Sequence, residues 1–314
     1  MKETHLRHAF LITAHKDPEL LIDLIRLISG ANHRVLVNID KKSKLLMAVK
    51  DRASSYVQDV IYTDYEVAHG GYSQISTTIK MLKVASELDV DYCHLISGQD
   101  FPCKSTEEFD RFFENHNGES FMWFDTKDQH EQWIKDKYPS RINMLYFNDL
   151  PFRKYRWINK FVAYLNAVSS HMRFRRDIPG LRGGWNWFSW NRKVVDFVLE
   201  KYKCDRRYFD RFKYTHCCDE IIFHTLLYPH LKQLNIHSDN SLRYIDWSNK
   251  SGSGCSSFPN SPAILSEKDF ERIINSDCFF CRKVDSVKST TLINALSQVV
   301  CPGFKSVVGV GKIL

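Results

Sequence analysis

Residues 8–124 alternate short apolar runs with amphipathic stretches, and a chain written this way has few folds open to it. HAFLITAH (8–15) is apolar almost throughout and ends on polar residues, the pattern of a strand buried on both faces. DPELLIDLIRLIS (17–29) then spaces its apolar residues at helical intervals, with Asp17 placed to cap and Pro18 at the first helical position. Further strands are expected at HRVLVNID (33–40), QDVIYT (58–63), DYCHLISG (91–98) and ESFMWF (119–124). Helices are expected at SQISTTIKMLKVASEL (73–88) and STEEFDRFFENH (105–116), the second opening on an ST-x-E capping sequence. This β-α-β order predicts an α/β fold with a mostly parallel sheet and helices on both faces. Ligands of such sheets sit beyond the carboxyl ends of the strands. That rule singles out Thr13, His15, Asp40, Gln99 and Asp100.

The middle of the chain, 126–182, loses the alternation and is rich in Tyr, Trp, Arg and Lys. Within it RKYRWINKFVAYLNAVSSHMRFRRD (153–177) reads in part as a basic amphipathic helix. Such a helix either packs on the domain with a solvated face or docks on an anionic lipid surface. GGWNWFSW (183–190) reads as a strand, NRKVVDFVLEKY (191–202) as the helix after it, and CDEIIFHTLLYPH (218–230) as a helix stopped near Pro229. NKSGSGCSSFPNSP (249–262) is a loop, SEKDFERIINS (266–276) a capped helix and CFFCRKVD (278–285) a short strand. With no repeat and no break in composition, the expectation is one domain over 1–285. The tail, 286–314, reads as a loosely attached end.

A net charge of +7 over 314 residues favours an anionic partner: a nucleotide, a nucleic acid or an acidic lipid surface. No nucleic-acid-binding motif is present, so nucleic acid is not expected. No run reaches the ~18 apolar residues of a membrane-spanning helix, and the first residues do not form an export signal. The expected location is the cytoplasm, free or on the inner membrane face. The nine cysteines are scattered. Cys278 and Cys281 form a lone CxxC with no second pair to complete a zinc site, so reduced thiols are expected.

Three groups of residues could carry chemistry. In HCCDEIIFHTLL (216–227) Glu220 stands at the start of a helix, where a carboxylate is either a general base or a cap. Asp219 beside it reads as the cap, and His224 as a core histidine. Arg282 and Lys283 follow an apolar strand-like run and could neutralise an anionic leaving group, as could Lys250. Trp185, Asn186 and Trp187 lie on a strand after two glycines that would let a ligand approach closely, with the indoles as stacking faces or simply as core. Metal binding finds no support. The strand at 91–98 ends on one carboxylate, Asp100, and Asp89-Val90-Asp91 precedes the strand as a turn.

Taken in order, seven segments resemble the core-2/I-branching β-1,6-N-acetylglucosaminyltransferase and peptide O-xylosyltransferase family: LITAHKD, VNIDKKS, VAHGGYSQI, SGQDFPCKS, GGWNWFSWNRKVVDFV, CDEIIFHTLL and FFCRKVD. SGQDFPCKS is the sharpest of these local matches. The resemblance implies a GT-A type fold, with a nucleotide half over about 1–125 and an acceptor half over about 126–285. It implies inverting transfer from a UDP-sugar, with N-acetylglucosamine first, to a glycan or lipid-linked glycan acceptor in surface polysaccharide synthesis, with no metal. By position it makes Glu220 the base. Thr13, His15, Asp40, Asp100, Arg282 and Lys283 become donor-binding residues, and Trp185, Asn186 and Trp187 acceptor-binding residues. Cys218 departs from the family's Pro, and Asn186 from an Asp found in xylosyl-transferring relatives, which disfavours xylosyl transfer to a peptide. The alternatives are xylosyl or another hexosyl transfer within the family, or a non-catalytic nucleotide- or glycan-binding module.

Overall fold

The computed structural model describes residues 5–136, 141–150, 156–172, 178, 180–247 and 261–309. The strands are β1 (His8–Ala14), β2 (His33–Ile39), β3 (Val60–Thr63), β4 (Tyr92–Ser97), β5 (Phe101–Pro102), β6 (Ser120–Phe124), β7 (Gly184–Asn191), β8 (Ile236–His237), β9 (Arg243–Ile245) and β10 (Phe280–Arg282). Seven of them form one sheet in the order β3-β2-β1-β4-β7-β6-β8; β5, β10 and β9 form a second, small sheet. Within the large sheet every pairing is parallel except those of β7, which runs antiparallel to both β4 and β6. The mostly parallel α/β fold read from the sequence is therefore the fold observed.

Both faces of the sheet are covered. Ala9 and Leu11 of β1 join a core with Ile75, Ile79 and Leu82 of α3 (Ser73–Glu87) and Val194 and Val198 of the helix Arg192–Cys204. Phe10 and Ile12 point the other way, against Leu21, Leu24 and Ile25 of α1 (Pro18–Ile28), Val49 of α2 (Leu46–Ala53) and Phe109 and Phe113 of α4 (Thr106–Asn115). Alternation along one strand thus feeds two cores, which is why these strands are apolar throughout. Ser105 caps α4 through the expected box: its hydroxyl accepts from the Glu108 N–H at 3.2 Å, and the Glu108 carboxylate accepts from the Ser105 N–H at 3.0 Å.

Two local readings change. Asp17 does not cap α1: its backbone is left-handed, and its carboxylate accepts from the backbone N–H of Ser286 at 2.8 Å. Nor is 286–309 loosely attached. Residues Thr290–Val300 are a helix whose Leu292, Ile293 and Leu296 bury against Leu20, Leu27, Phe101 and Cys281. Asp23, fully buried on α1, accepts from the Ser306 hydroxyl at 2.6 Å and the Val307 N–H at 2.9 Å. A buried carboxylate needs such donors, and here the end of the chain supplies them.

Under the second face lies a group of histidines. His8 and His94, both without exposure, share a hydrogen bond of 3.0 Å between Nδ1 of His8 and Nε2 of His94, among Phe10, Tyr92, Phe109 and Phe113. Burial, with His33 beside it, pushes His8 down to about 3 against the upward pull of Asp110; burial likewise holds His94 far below the usual imidazole range. A histidine kept neutral in the fold contributes stability that is present above its unfolded value near 6.5 and is lost as pH falls from there toward its folded value. We therefore expect urea unfolding to show a loss of about 1 to 2 kcal/mol for each of these two histidines between pH 7.5 and pH 5. Equal unfolding free energies at the two pH values would contradict this.

Candidate active site

Parallel register sets Thr13 of β1 between Asn38 of β2 and Ser97 of β4, so three polar side chains end the central strands at one edge. β7 meets that edge with its beginning. Because it is antiparallel, with Phe188 opposite Leu95, the residues before Phe188 run alongside the last residues of β4 and on past its end. Trp185, Asn186 and Trp187 arrive there for that reason. A cleft of about 450 Å³ opens over this edge. Thr13, His15, Lys16, Asn38 and Asp40 line it from β1 and β2; Trp185, Asn186 and Trp187 from β7; Asp219 and Glu220 from the turn before the helix Ile222–Leu227; Arg282 and Lys283 from β10.

Nine of the ten residues to which the family resemblance gives a role are thus brought to one cleft. Asp100 is the one that is not. It lies beneath the floor with no exposure and accepts from Arg282 Nη1 at 2.8 Å, the Ser97 N–H at 3.0 Å and the Ser97 hydroxyl at 3.1 Å. Its place is to hold Arg282 rather than to touch a ligand. The Arg282 guanidinium also stacks 4.0 Å from the centroid of the Trp187 ring, so Trp187 belongs to the basic wall of the cleft. Lys283 extends that wall; burial and then Arg282 push its ammonium down. His15 is lowered by burial and by Lys16, with Asp40 pulling the other way. Asp40 itself accepts from the Lys42 N–H at 3.2 Å and the Val67 N–H at 3.4 Å. Lys250 lies outside the described residues.

The acidic side is built differently from the expectation. Cys218–Glu220 is a single 3-10 turn, and the α-helix starts only at Ile222. Asp219 caps nothing there. It is buried and accepts from Gln74 Nε2 at 3.0 Å, and burial next to Glu220 pushes its carboxyl up to about 7. Gln74 is held in turn by the Gly70 N–H, which donates to Gln74 Oε1 at 2.6 Å, while the Gly70 carbonyl accepts from the Cys217 N–H at 3.0 Å. Gly70 is left-handed (φ 67°), and a Cβ there would stand 2.6 Å from the His216 ring, so this position needs glycine. Glu220 is partly exposed and paired with Arg141 Nη1 at 2.5 Å.

Gly184 of β7 serves packing. A Cβ on Gly184 would meet the Trp123 carbonyl at 2.2 Å and the His224 ring at 2.6 Å. His224 is a core histidine, as expected: it has no exposure, its Nε2 donates to the Trp123 carbonyl at 3.0 Å, and burial lowers it to about 4. Trp185 stacks on Trp123 with centroids 4.8 Å apart, and Trp247 stands 6.3 Å beyond, so an aromatic row lines one end of the cleft. Asn186 Oδ1 is buried with no hydrogen-bond partner among the described residues, an acceptor left open beside the cleft.

Sequence reasoning missed Arg141, Asn38, Gln74 and Trp247. Asn38 and Gln74 were visible inside VNIDKKS and VAHGGYSQI; Arg141 and Trp247 carry no local signal. Among the described residues no group of three or more His, Cys, Asp or Glu could hold a metal ion, and the described cysteines are free thiols.

Removing one partner of a buried ion pair leaves the other charge uncompensated, at about 3 to 5 kcal/mol. Asp100→Ala should therefore lower unfolding free energy by about that much. A variant as stable as the parent in urea would show that Arg282 finds its compensation elsewhere.

The family model for the Core-2/I-branching enzyme matches residues 8–274. Xylosyltransferase 1 of Rattus norvegicus is 23% identical over 318 residues, covering 95% of this chain and 36% of that protein. The human protein named probable beta-1,3-galactosyl-O-glycosyl-glycoprotein beta-1,6-N-acetylglucosaminyltransferase 7 is 29% identical over 105 residues, 32% of this chain and 24% of that protein. The chain thus spans about a third or less of these curated relatives. A solved 4-diphosphocytidyl-2C-methyl-D-erythritol synthase from Anaerococcus prevotii aligns over 66% of this chain and 84% of its own, at 13% identity and a TM-score of 0.33. The family match covers most of the chain, including the ends of β1 and β2 and the Glu220 turn: this chain belongs to the Core-2/I-branching enzyme family.

Proposed function

We propose that the chain is an inverting, metal-independent glycosyltransferase that moves a sugar from a UDP-sugar to a hydroxyl of a glycan acceptor. One observation carries the reading: Glu220 and the Arg282–Lys283 pair line the same cleft at the strand ends. Thr13, His15 and Asp40 hold the nucleoside at the ends of β1 and β2. Glu220 takes the proton from the acceptor hydroxyl as its oxygen bonds to the anomeric carbon. The bond from that carbon to the diphosphate breaks from the opposite side, which inverts the centre. The charge that gathers on the departing diphosphate is met by Arg282 and Lys283. Arg141 positions the Glu220 carboxylate. Asn186, with its open acceptor, takes a hydroxyl of the sugar, and Trp185 with Trp247 offers the acceptor ring a face.

The metal-free part of the reading is supported by the state of Asp100. Its oxygens are taken up by Ser97 and Arg282, so it has little left to give a divalent ion. N-acetylglucosamine is the first donor; the setting is the assembly of a surface polysaccharide unit at the cytoplasmic side of a membrane. Xylose is the second donor reading, favoured by the match to a xylosyltransferase along nearly the whole chain.

Glu220→Gln is expected to lower kcat by at least about 100-fold while the rise in melting temperature on adding UDP-GlcNAc persists. Unchanged turnover would remove Glu220 from the base role, and a larger melting shift with UDP-xylose would move the donor to the second reading. Exhaustive EDTA treatment is expected to leave transfer unchanged; its loss, restored by a divalent ion, would refute the metal-free mechanism.

A further inference from the structure

The helix Arg156–Met172 (α6), which follows Lys127–Asp136 (α5), is apolar in two directions. Ile158, Val162 and Leu165 are half-buried. Trp157, Phe161, Tyr164 and Val168 are 68%, 55%, 65% and 39% exposed. At about 100° per residue these four positions fall within a wedge of about 60°. They therefore make one continuous outward stripe along most of the helix. Large apolar side chains exposed singly are ordinary, but a contiguous row marks a surface that something covers.

We propose that this stripe docks the protein on the surface of an anionic lipid bilayer, with α6 lying in the plane of the headgroups. Its composition fits that occupant. Trp157 and Tyr164 carry amphipathic rings suited to the headgroup level, and Phe161 and Val168 supply apolar depth. Lys160 is exposed beside the stripe. Residues 150–176 hold seven Arg or Lys and no Asp or Glu, so the sequence around the helix is complementary to acidic lipid. A second copy of the chain fits worse, because a net charge of +7 and an acid-free helix would be set against themselves. The sequence left a basic dock as one of two readings; the exposed apolar row now favours it. The inference does not rest on the transfer chemistry, since docking requires neither donor nor acceptor.

Co-sedimentation of the whole chain with phosphatidylcholine vesicles, with and without phosphatidylglycerol, tests it. Pelleting is expected only with phosphatidylglycerol. It should weaken about 10-fold or more in Trp157→Ser/Phe161→Ser/Tyr164→Ser and several-fold in Lys160→Glu. The altered side chains are exposed, so melting temperatures should match the parent; if the triple variant fails to fold, Lys160→Glu carries the test alone. Protein that stays in the supernatant, or variants that pellet like the parent, would overturn the proposal. So would analytical ultracentrifugation showing a parental dimer that becomes monomeric in the triple variant, since the stripe would then be a self-association face.

Discussion

The Arg282 guanidinium at the cleft wall is answered by the fully buried carboxylate of Asp100, and this pair is the contact on which the cleft is built. Asp100 follows β4 of the large sheet; Arg282 ends β10 of the small one. The pair therefore joins the two sheets as well as fixing a positive charge. Being mostly buried at the cleft wall, that charge is screened less by solvent and salt than a surface arginine's. Lys283, one residue on, is placed by the same join.

The opposite wall depends on backbone geometry. A left-handed Gly70 offers its N–H to Gln74 and its carbonyl to Cys217, and Gln74 grips Asp219. The turn that carries Glu220 is thereby tied to the start of α3. On the third side β7 enters antiparallel, and Gly184 lets it lie against Trp123 and His224 without a gap. Three unlike devices, an ion pair, a glycine turn and a reversed strand, converge on one edge of an otherwise regular sheet.

Much of this was legible in the sequence because β1–β4 and β6 are short apolar runs and α1, α3 and α4 carry their own period, whereas β5 and α2 were passed over. Where the chain ends a strand on polar residues, the rule for parallel sheets located Thr13, His15 and Asp40 without coordinates. Glu220, Arg282 and Lys283 were found by motif, since nothing local separates them from a cap or a surface pair. What stayed hidden depends on long-range contacts. Arg141 sits in a stretch crowded with basic residues, and only its pairing with Glu220 marks it. Asp219 reads as a cap until Gln74, 145 positions away in sequence, is seen beside it. Asp100 reads as a ligand contact until its burial is known. The C-terminal helix Thr290–Val300 was passed over because a tail's attachment depends on partners elsewhere in the chain.

Those partners give the chain's last described stretch a second significance. Ser286 donates to Asp17, Asp285 lies 3.9 Å from Lys16, and residues 306–308 close over Asp23. His15 and Lys16 therefore stand on a loop lashed down by sequence some 270 residues downstream. That rim of the cleft is set only once residues 285–308 have docked, and a change in that stretch would be felt there first.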